Sequence, residues 1–110
     1  MSLADFVIDG FGGYEKAKAV LDNPNAHLLH NIEGLKQRLL EYRRQHNIFE
    51  VGDNVVFINQ NMSSSVKAVK EILNDTHVSF NFHGFHIELI RHATDAEIEA
   101  GKRLEVNDGN

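Results

Sequence analysis

The side chains best able to do chemistry in this 110-residue chain are its seven histidines. His27 and His30 are three residues apart in a segment predicted to be helical, a spacing that places both on one helix face. His83 and His86 flank a predicted turn. Zinc needs three or four ligands in fixed geometry, so these two pairs form a site only where folding brings them together. The simpler interpretation puts His83 in the turn and His86 on the polar face of a hairpin, and the sequence predicts no metal and no cofactor.

A nucleophilic hydroxyl is the second chemistry that the residue types allow. The serines at 63–65 offer hydroxyl groups, and His77 or His92 would have to act as their base. The pattern of a nucleophile elbow does not surround these serines, and a serine-rich loop is more often simply solvated. GFGG at 10–13 fits neither a dinucleotide fingerprint nor a phosphate loop, because the strand-to-helix context is missing. We therefore expect a non-enzymatic protein, with a small metal-dependent or Ser/His enzyme as the last alternative.

Charge and composition restrict the classes of partner. The formal net charge of −5 argues mildly against unspecific nucleic-acid binding, which depends on phosphate neutralisation. The charge is uneven, because residues 31–46 are basic and residues 94–110 are acidic. The chain has no cysteine, which excludes disulfides and thiolate zinc sites. Neither a signal-like start nor a run of roughly 20 apolar residues is present, so we expect a cytoplasmic protein that does not enter a membrane.

A helical half is predicted at residues 14–46, after an irregular, glycine-containing arm at residues 1–13. Its first helix covers YEKAKAVL and ends at DNPN (22–25), because proline disfavours helix at the residue before it. A longer helix is predicted from about Ala26 to His46. Gly34 inside this helix costs about 1 kcal/mol relative to alanine. The apolar stripe of the helix is Leu28, Ile32, Leu35, Leu39 and Tyr42.

An antiparallel sheet is predicted at residues 49–92. The segment Asp53 to Asn59 has apolar residues on both faces, which indicates a central strand. Val66 to Leu73 reads either as a capped helix or as a bulged strand, and we favour the strand. The stretch HVSFNFHGFHIELI (77–90) alternates apolar and polar residues on both sides of a two-residue turn, which predicts a hairpin.

The predicted turn of this hairpin is His83-Gly84, which places Phe82 opposite Phe85. The six apolar side chains of the hairpin then share one face. The predicted core joins the hairpin to the helix stripe and the central strand: Leu28, Ile32, Leu35, Leu39, Val55, Phe57, Val78, Phe80, Phe82, Ile87 and Leu89.

A short C-terminal helix is predicted within residues 94–104. Thr94 is its cap, and Glu97 completes a capping box.

Three segments resemble known families. VGDNVVFI (51–58) and VKEILNDTHVSFNFHG (69–84) resemble the opening of small SH3-like barrels, in which a Gly-Asp turn leads a strand and hairpins follow. ELIRHATDAEIEAGKRL (88–104) is similar to the C-terminal signature of small accessory proteins of tailed phages and prophages. FGGYEKAKAVLDN (11–23) is similar to another sequence motif of such proteins. Together the segments cover about half the chain, and the resemblance implies a role directed at the bacterial host.

These observations predict one α+β domain over residues 1–110. N-terminal helices pack on a small antiparallel, SH3-like and partly barrel-like sheet, which a C-terminal helix closes. The predicted function is a non-enzymatic, phage-type accessory protein that binds a host protein in the cytoplasm of the bacterial cell, with a defence-system protein as one candidate. The alternative is a nucleic-acid-binding SH3-like module that uses the basic helix 31–46.

The predicted partner surface lies on the long helix and consists of Lys36, Leu40, Arg43 and Arg44. Leu29 and Leu40 extend the apolar surface of this helix beyond one narrow stripe. A second copy of the chain would cover that surface, which predicts a homodimer. The N-terminal arm is the competing cover within one chain.

Overall fold

The computed structural model describes residues 2–80 and 83–104. Contacts divide the chain into two compact units, Met1–Ile48 and Phe49–Asn110. We call the first the helical unit and the second the strand unit, and we describe each by itself. The predicted α+β class is confirmed, with the N-terminal helices, antiparallel sheets and a short C-terminal helix all present.

The helical unit begins with α1 (Leu3–Gly10), where the sequence had predicted an irregular arm. That prediction was wrong because Ser2 caps a helix. Its hydroxyl accepts the Asp5 backbone N–H at 3.1 Å, and the Asp5 carboxylate accepts the Ser2 N–H at 3.3 Å. This reciprocal pair satisfies two donors that a helix start otherwise leaves unpaired. The nearby glycines end the helix without preventing it.

The second helix, α2 (Tyr14–Val20), lies where it was predicted, but the long helix α3 (Ile32–His46) starts later than expected. Asn31 is its cap, since the Oδ1 atom accepts the backbone N–H of Gly34 at 3.1 Å. Residues Ala26–Leu28 form a separate 3-10 turn. Leu28 is therefore not on the α3 stripe. It is 70% exposed, and its predicted place in the core was wrong.

Helices α1 and α3 run antiparallel. The start of α1 contacts the end of α3 through Asp5 and His46, whose Oδ1 and Nε2 atoms are 2.7 Å apart. The end of α1 lies beside the start of α3, where the rings of Phe11 and His30 meet at 5.4 Å. The core cluster of this unit consists of four buried residues: Ile8, Ala17, Leu35 and Leu39.

The described residues of the strand unit form six short strands in two antiparallel sheets. They are β1 (Asn54–Phe57), β2 (Lys67–Ala68), β3 (Glu71–Ile72), β4 (His77–Ser79), β5 (Gly84–His86) and β6 (Ile90–His92). Their orders are β2-β1-β6 and β3-β4-β5. The central position of β1 and the extended conformation in Val66 to Leu73 are both confirmed, although that segment is divided between the two sheets. Closure of a barrel is not found among the described residues.

The hairpin forms, but with a different register from the predicted one. Val78 pairs with Phe85 and Ser79 pairs with Gly84, so His83-Gly84 is not the turn. The second strand stops because Ile87–Leu89 is a 3-10 helix, in which His86 Nδ1 accepts the Glu88 N–H at 3.0 Å. Leu89 is 40% exposed, so its predicted burial was wrong. Phe82 lies outside the described residues.

The core of the strand unit is aromatic at its centre. The ring of Phe57 meets the rings of Phe80 and Phe85 edge to face, at 5.5 and 5.1 Å between centroids. Ile87 packs against this cluster while half-buried. The predicted burial of Val55, Phe57, Val78 and Phe80 is thus confirmed, as is that of Leu35 and Leu39 in the helical unit.

The C-terminal helix α4 (Asp95–Ala100) starts as predicted, directly after Thr94, and ends inside the predicted range of residues 94–104. Thr94 and Glu97 form the expected capping box, and Gly101 ends the helix in a left-handed conformation (φ 73°). Beyond it, the guanidinium of Arg103 is buried and donates from Nη1 to the carbonyl oxygens of Phe57 and Asn59, at 2.9 and 3.1 Å. These two bonds hold the segment that follows α4 against the end of β1 and the loop that follows it.

Candidate partner-binding surface

A groove of about 290 Å³ opens on the helical unit between α1 and α3. Because the two helices run antiparallel, one wall comes from the C-terminal half of α1 and the other from the N-terminal half of α3. Seven residues line it: Val7, Phe11, His30, Asn31, Gly34, Leu35 and Arg38. Residues 27 positions apart in the sequence thus meet at one site.

Gly34 explains how the groove can exist. The structure keeps a glycine in the first turn of α3, although glycine is about 1 kcal/mol worse than alanine in a helix. A Cβ atom at this position would lie 2.9 Å from Nδ2 of Asn31, which is too close for the capping amide to keep its place. The missing side chain therefore serves the cap and leaves a hollow beside it.

The two walls differ in chemistry. Val7 and Phe11 make the α1 wall apolar. The α3 wall carries Leu35 together with the hydrogen-bond donors of Asn31 and Arg38. The Nη1 atom of Arg38 donates to both carboxylate oxygens of Glu41, at 2.9 and 2.7 Å, which holds the guanidinium at the groove edge.

Exposed apolar side chains accumulate on the elements that border this groove. Leu29 is 81% exposed, Leu28 70%, Phe6 69% and Leu3 57%. They are four of the five most exposed large apolar residues in the described part of the chain. Leu3 and Phe6 are on α1, and Leu28 and Leu29 belong to the turn that leads into α3. Such accumulation is unusual for a surface without a partner.

Of the predicted partner residues, Lys36 and Leu40 line a shallow depression of about 540 Å³ that shares Asn31 and Gly34 with the groove. Lys36 lies 3.6 Å from the Glu33 carboxylate. Arg43 and Arg44 do not line either hollow. Arg43 is half-buried and donates to the Tyr14 hydroxyl at 3.3 Å. Arg44 is also half-buried and engaged in interactions with other groups.

The candidate histidines fall into both units. His27 is exposed, and His30 is part of the groove. In the strand unit, His86 is paired across the strands with His77, at 4.9 Å between ring centroids, and His83 is exposed.

The hydrogen bond to His86 opposes a metal role for its ring. Because Nδ1 accepts the Glu88 N–H, the neutral ring carries its proton on Nε2, whereas a metal on Nε2 requires the opposite tautomer. Within residues 2–80 and 83–104, no group of three or more histidine, aspartate or glutamate side chains could hold a metal ion.

The residues considered for hydroxyl chemistry have other contacts. The carbonyl oxygen of Ser63 faces Nη1 of Arg103 at 3.5 Å. His92 is buried and stacks on the Phe49 ring at 4.5 Å. His77 Nδ1 lies 2.8 Å from the hydroxyl of Thr76. None of these contacts joins a serine hydroxyl to an imidazole.

Among the described residues, three carboxyl groups have pKa values displaced from their ordinary range. The hydrogen bond from His46 lowers the pKa of Asp5, with Ser2 contributing to the same end. The bonds from Arg91 lower the pKa of Glu97 to about 2. Burial raises the pKa of Glu50, and the nearby Asp53 carboxylate raises it further. The first two shifts accompany helix caps, so they report structural bonds.

Sequence reasoning missed most of the groove. Val7 and Phe11 were placed in an irregular arm, and Arg38 was counted only as part of a basic helix. One local signal was available, the Ser2–Asp5 capping box, which predicts a helix over the residues that form the apolar wall. The meeting of that wall with α3 has no signal in one sequence.

Comparison with family models, curated proteins and solved structures finds no match for this chain. Among the described residues, no helix is both long enough and apolar enough to span a membrane.

Proposed function

We propose that this protein is a non-enzymatic binding protein, and that it recognises another protein through the groove and its apolar border. The single observation that carries this proposal is the exposure of Leu3, Phe6, Leu28 and Leu29 on α1 and on the turn before α3, which are the elements that border the groove. Protein interfaces are built from such anchors, which contribute energy when a partner removes them from water.

The charge distribution supports placing the binding surface on the helical unit. Met1–Ile48 contains six acidic and six basic residues, whereas Phe49–Asn110 contains ten acidic and five basic ones, which places the whole net charge of −5 on the strand unit. A neutral unit does not repel an approaching protein, so apolar contact can dominate the binding energy.

The resemblance to phage accessory proteins gives the proposal its context. A protein of the bacterial host, in the cytoplasm, is then the partner. Nucleic acid is a weaker candidate, because the helical unit has no net positive charge for phosphates and the strand unit carries the net negative charge. The predicted homodimer would use the apolar surface at Leu40 of α3, which lies outside the groove.

Affinity capture from a bacterial lysate with mass spectrometry tests the proposal when it is run with two variants. Leu29→Glu places a charge on the groove border. Val51→Glu places the same charge on a residue of the strand unit that is 64% exposed, and serves as the matched control. Circular dichroism shows whether both variants keep the fold.

We expect one protein to be recovered in stoichiometric amount by the wild type and by Val51→Glu, and to be lost with Leu29→Glu. Loss with Val51→Glu alone would place the interface on the strand unit and contradict the proposal. Recovery of nucleic acid in place of a protein, sensitive to salt, would favour the alternative function. Turnover in a substrate screen would contradict the non-enzymatic assignment.

A further inference from the structure

We infer that the groove between α1 and α3 takes an acidic amphipathic helix, whose apolar side chains meet Val7, Phe11 and Leu35 and whose carboxylate meets Asn31 and Arg38. This inference rests on the proposed function and names the chemistry of the partner segment.

The shape of the groove favours a helix. Two antiparallel helices leave a channel along their axes, and a third helix fills such a channel by placing side chains from successive turns into it. Gly34 lies in the channel without a side chain, which lets the backbone of an occupant come close. A volume of about 290 Å³ holds a few anchor side chains. It lies just below the usual range of small-molecule sites, about 300–1,000 Å³.

The polar side chains of the groove determine which charge the bound helix should carry. The Oδ1 atom of Asn31 is occupied by the backbone N–H of Gly34, so the N–H bonds of Nδ2 are what this amide offers to a ligand. A guanidinium has five N–H donors, and the Arg38 contact with Glu41 is made through Nη1. None of the seven lining residues is a carboxylate. A wall made of donors is complementary to a carboxylate that lies next to the apolar anchors.

The test uses designed peptides as probes and the full chain as the protein. The first probe is an end-capped helical peptide of about four turns, a length that supports helix in water. It carries leucines along one stripe and glutamates beside them. In the second probe, lysine replaces each glutamate. In the third probe, serine replaces the leucines. Binding is measured by fluorescence anisotropy, and the site is located by amide chemical shifts of the labelled protein.

We expect the acidic probe to bind about tenfold more tightly than the lysine probe, the change that about 1.4 kcal/mol of charge complementarity produces. The serine probe should not bind. The amide signals of His30, Gly34 and Leu35 should move. Two variants then examine the donor wall. Arg38→Gln should remove most of the preference for the acidic probe, while Lys36→Gln, which removes a cation of α3 outside the groove, should keep it.

Two outcomes overturn the inference. One is equal affinity for the acidic and lysine probes. The other is a set of shifted amides confined to the strand unit. Sedimentation of the protein alone, at the same concentration, measures whether a second copy occupies the groove. A dimer that dissociates in Leu29→Glu would make a second copy the occupant and would also overturn the inference. Failure with all peptides alongside specific capture of a host protein would refute this inference and leave the proposed function standing.

Discussion

Replacing Glu97 with glutamine should remove a large part of the stability of the strand unit. The Glu97 carboxylate is buried, and it accepts two bonds from Arg91, at 2.6 and 2.8 Å. It also accepts the backbone N–H groups of Thr94 and Leu104, at 3.0 and 2.8 Å. One side chain thereby joins β6, the cap of α4 and the chain that follows α4. Glutamine keeps one acceptor oxygen but turns an NH₂ group towards donors.

The size of the effect follows from the pKa of Glu97. Its decrease from 4.5 to about 2 corresponds to about 3 kcal/mol, at about 1.36 kcal/mol for each pKa unit. Arg91 is partly exposed, with 37% of its side chain accessible, so solvent screens part of this attraction. We expect Glu97→Gln to lower the free energy of unfolding by about 2 to 3 kcal/mol at pH 7.

The pH dependence has a definite direction. Because folding lowers the pKa of Glu97, the stabilisation is fully present above pH 4.5 and is lost as the pH falls towards 2. About half of it should be gone at pH 3. The glutamine variant has no such group to titrate. The difference between the wild type and Glu97→Gln should therefore shrink as the solution is acidified.

Urea unfolding followed by circular dichroism measures these differences, since the chain has no tryptophan to report by fluorescence. Urea leaves the ionic strength unchanged, unlike guanidinium chloride. Glu99→Gln is the matched control: it removes the same charge from an exposed position of α4 and should change the stability by less than about 0.5 kcal/mol. Equal stabilities of the two variants at pH 7 would refute the reasoning.

Three further predictions concern single contacts. His46→Ala should raise the pKa of Asp5 towards its ordinary value, because the hydrogen bond that lowers it is lost; NMR titration of the Asp5 carboxyl measures this, and an unchanged pKa would contradict the assignment. Arg103→Lys should lower the free energy of unfolding by about 1 to 3 kcal/mol, because an ammonium group cannot reproduce the forked donor geometry of the guanidinium. The control is Lys102→Gln at the exposed neighbouring position, which should leave the stability unchanged in the same urea experiment. Light scattering should show a dimer that dissociates in Leu40→Glu and persists in Leu29→Glu, and a constant mass of one chain at high concentration would remove the homodimer.

The elements that the sequence could predict are those whose signals are local. Thr94 directly precedes an acidic helix and Glu97 is the third residue of that helix, and a capping box needs nothing more. Valines and phenylalanine on both faces of β1 require cover on both sides, which is the position of a central strand. The glycine at 101 is sufficient to end α4, because its left-handed backbone angle suits a residue without a side chain.

The hairpin register could not be obtained from alternation. The predicted and observed registers differ by an even number of residues, so both keep Val78 and Phe85 on the same face. The choice between them depends on where the second strand ends. That end is set by the bond between the His86 ring and the Glu88 N–H, which competes with strand pairing.

The helical prediction failed at the junctions for a similar reason. Periodicity runs across Asn31 without interruption, yet its side chain caps α3 and separates Leu28 from the stripe that follows. The groove could not be predicted from the sequence, because it depends on tertiary structure. Its apolar wall comes from α1 and its hydrogen-bond donors come from α3, and no pattern within either helix indicates that the two helices are in contact.

Hydrogen–deuterium exchange of the complex with the captured host protein tests the central claim most directly. The account predicts slower exchange in two segments of the helical unit, residues 3–11 and residues 28–41, with little change in the strand unit. Protection confined to residues 49–104, with the helical unit exchanging as in the unbound protein, would contradict the claim that this groove and its apolar border are the binding surface.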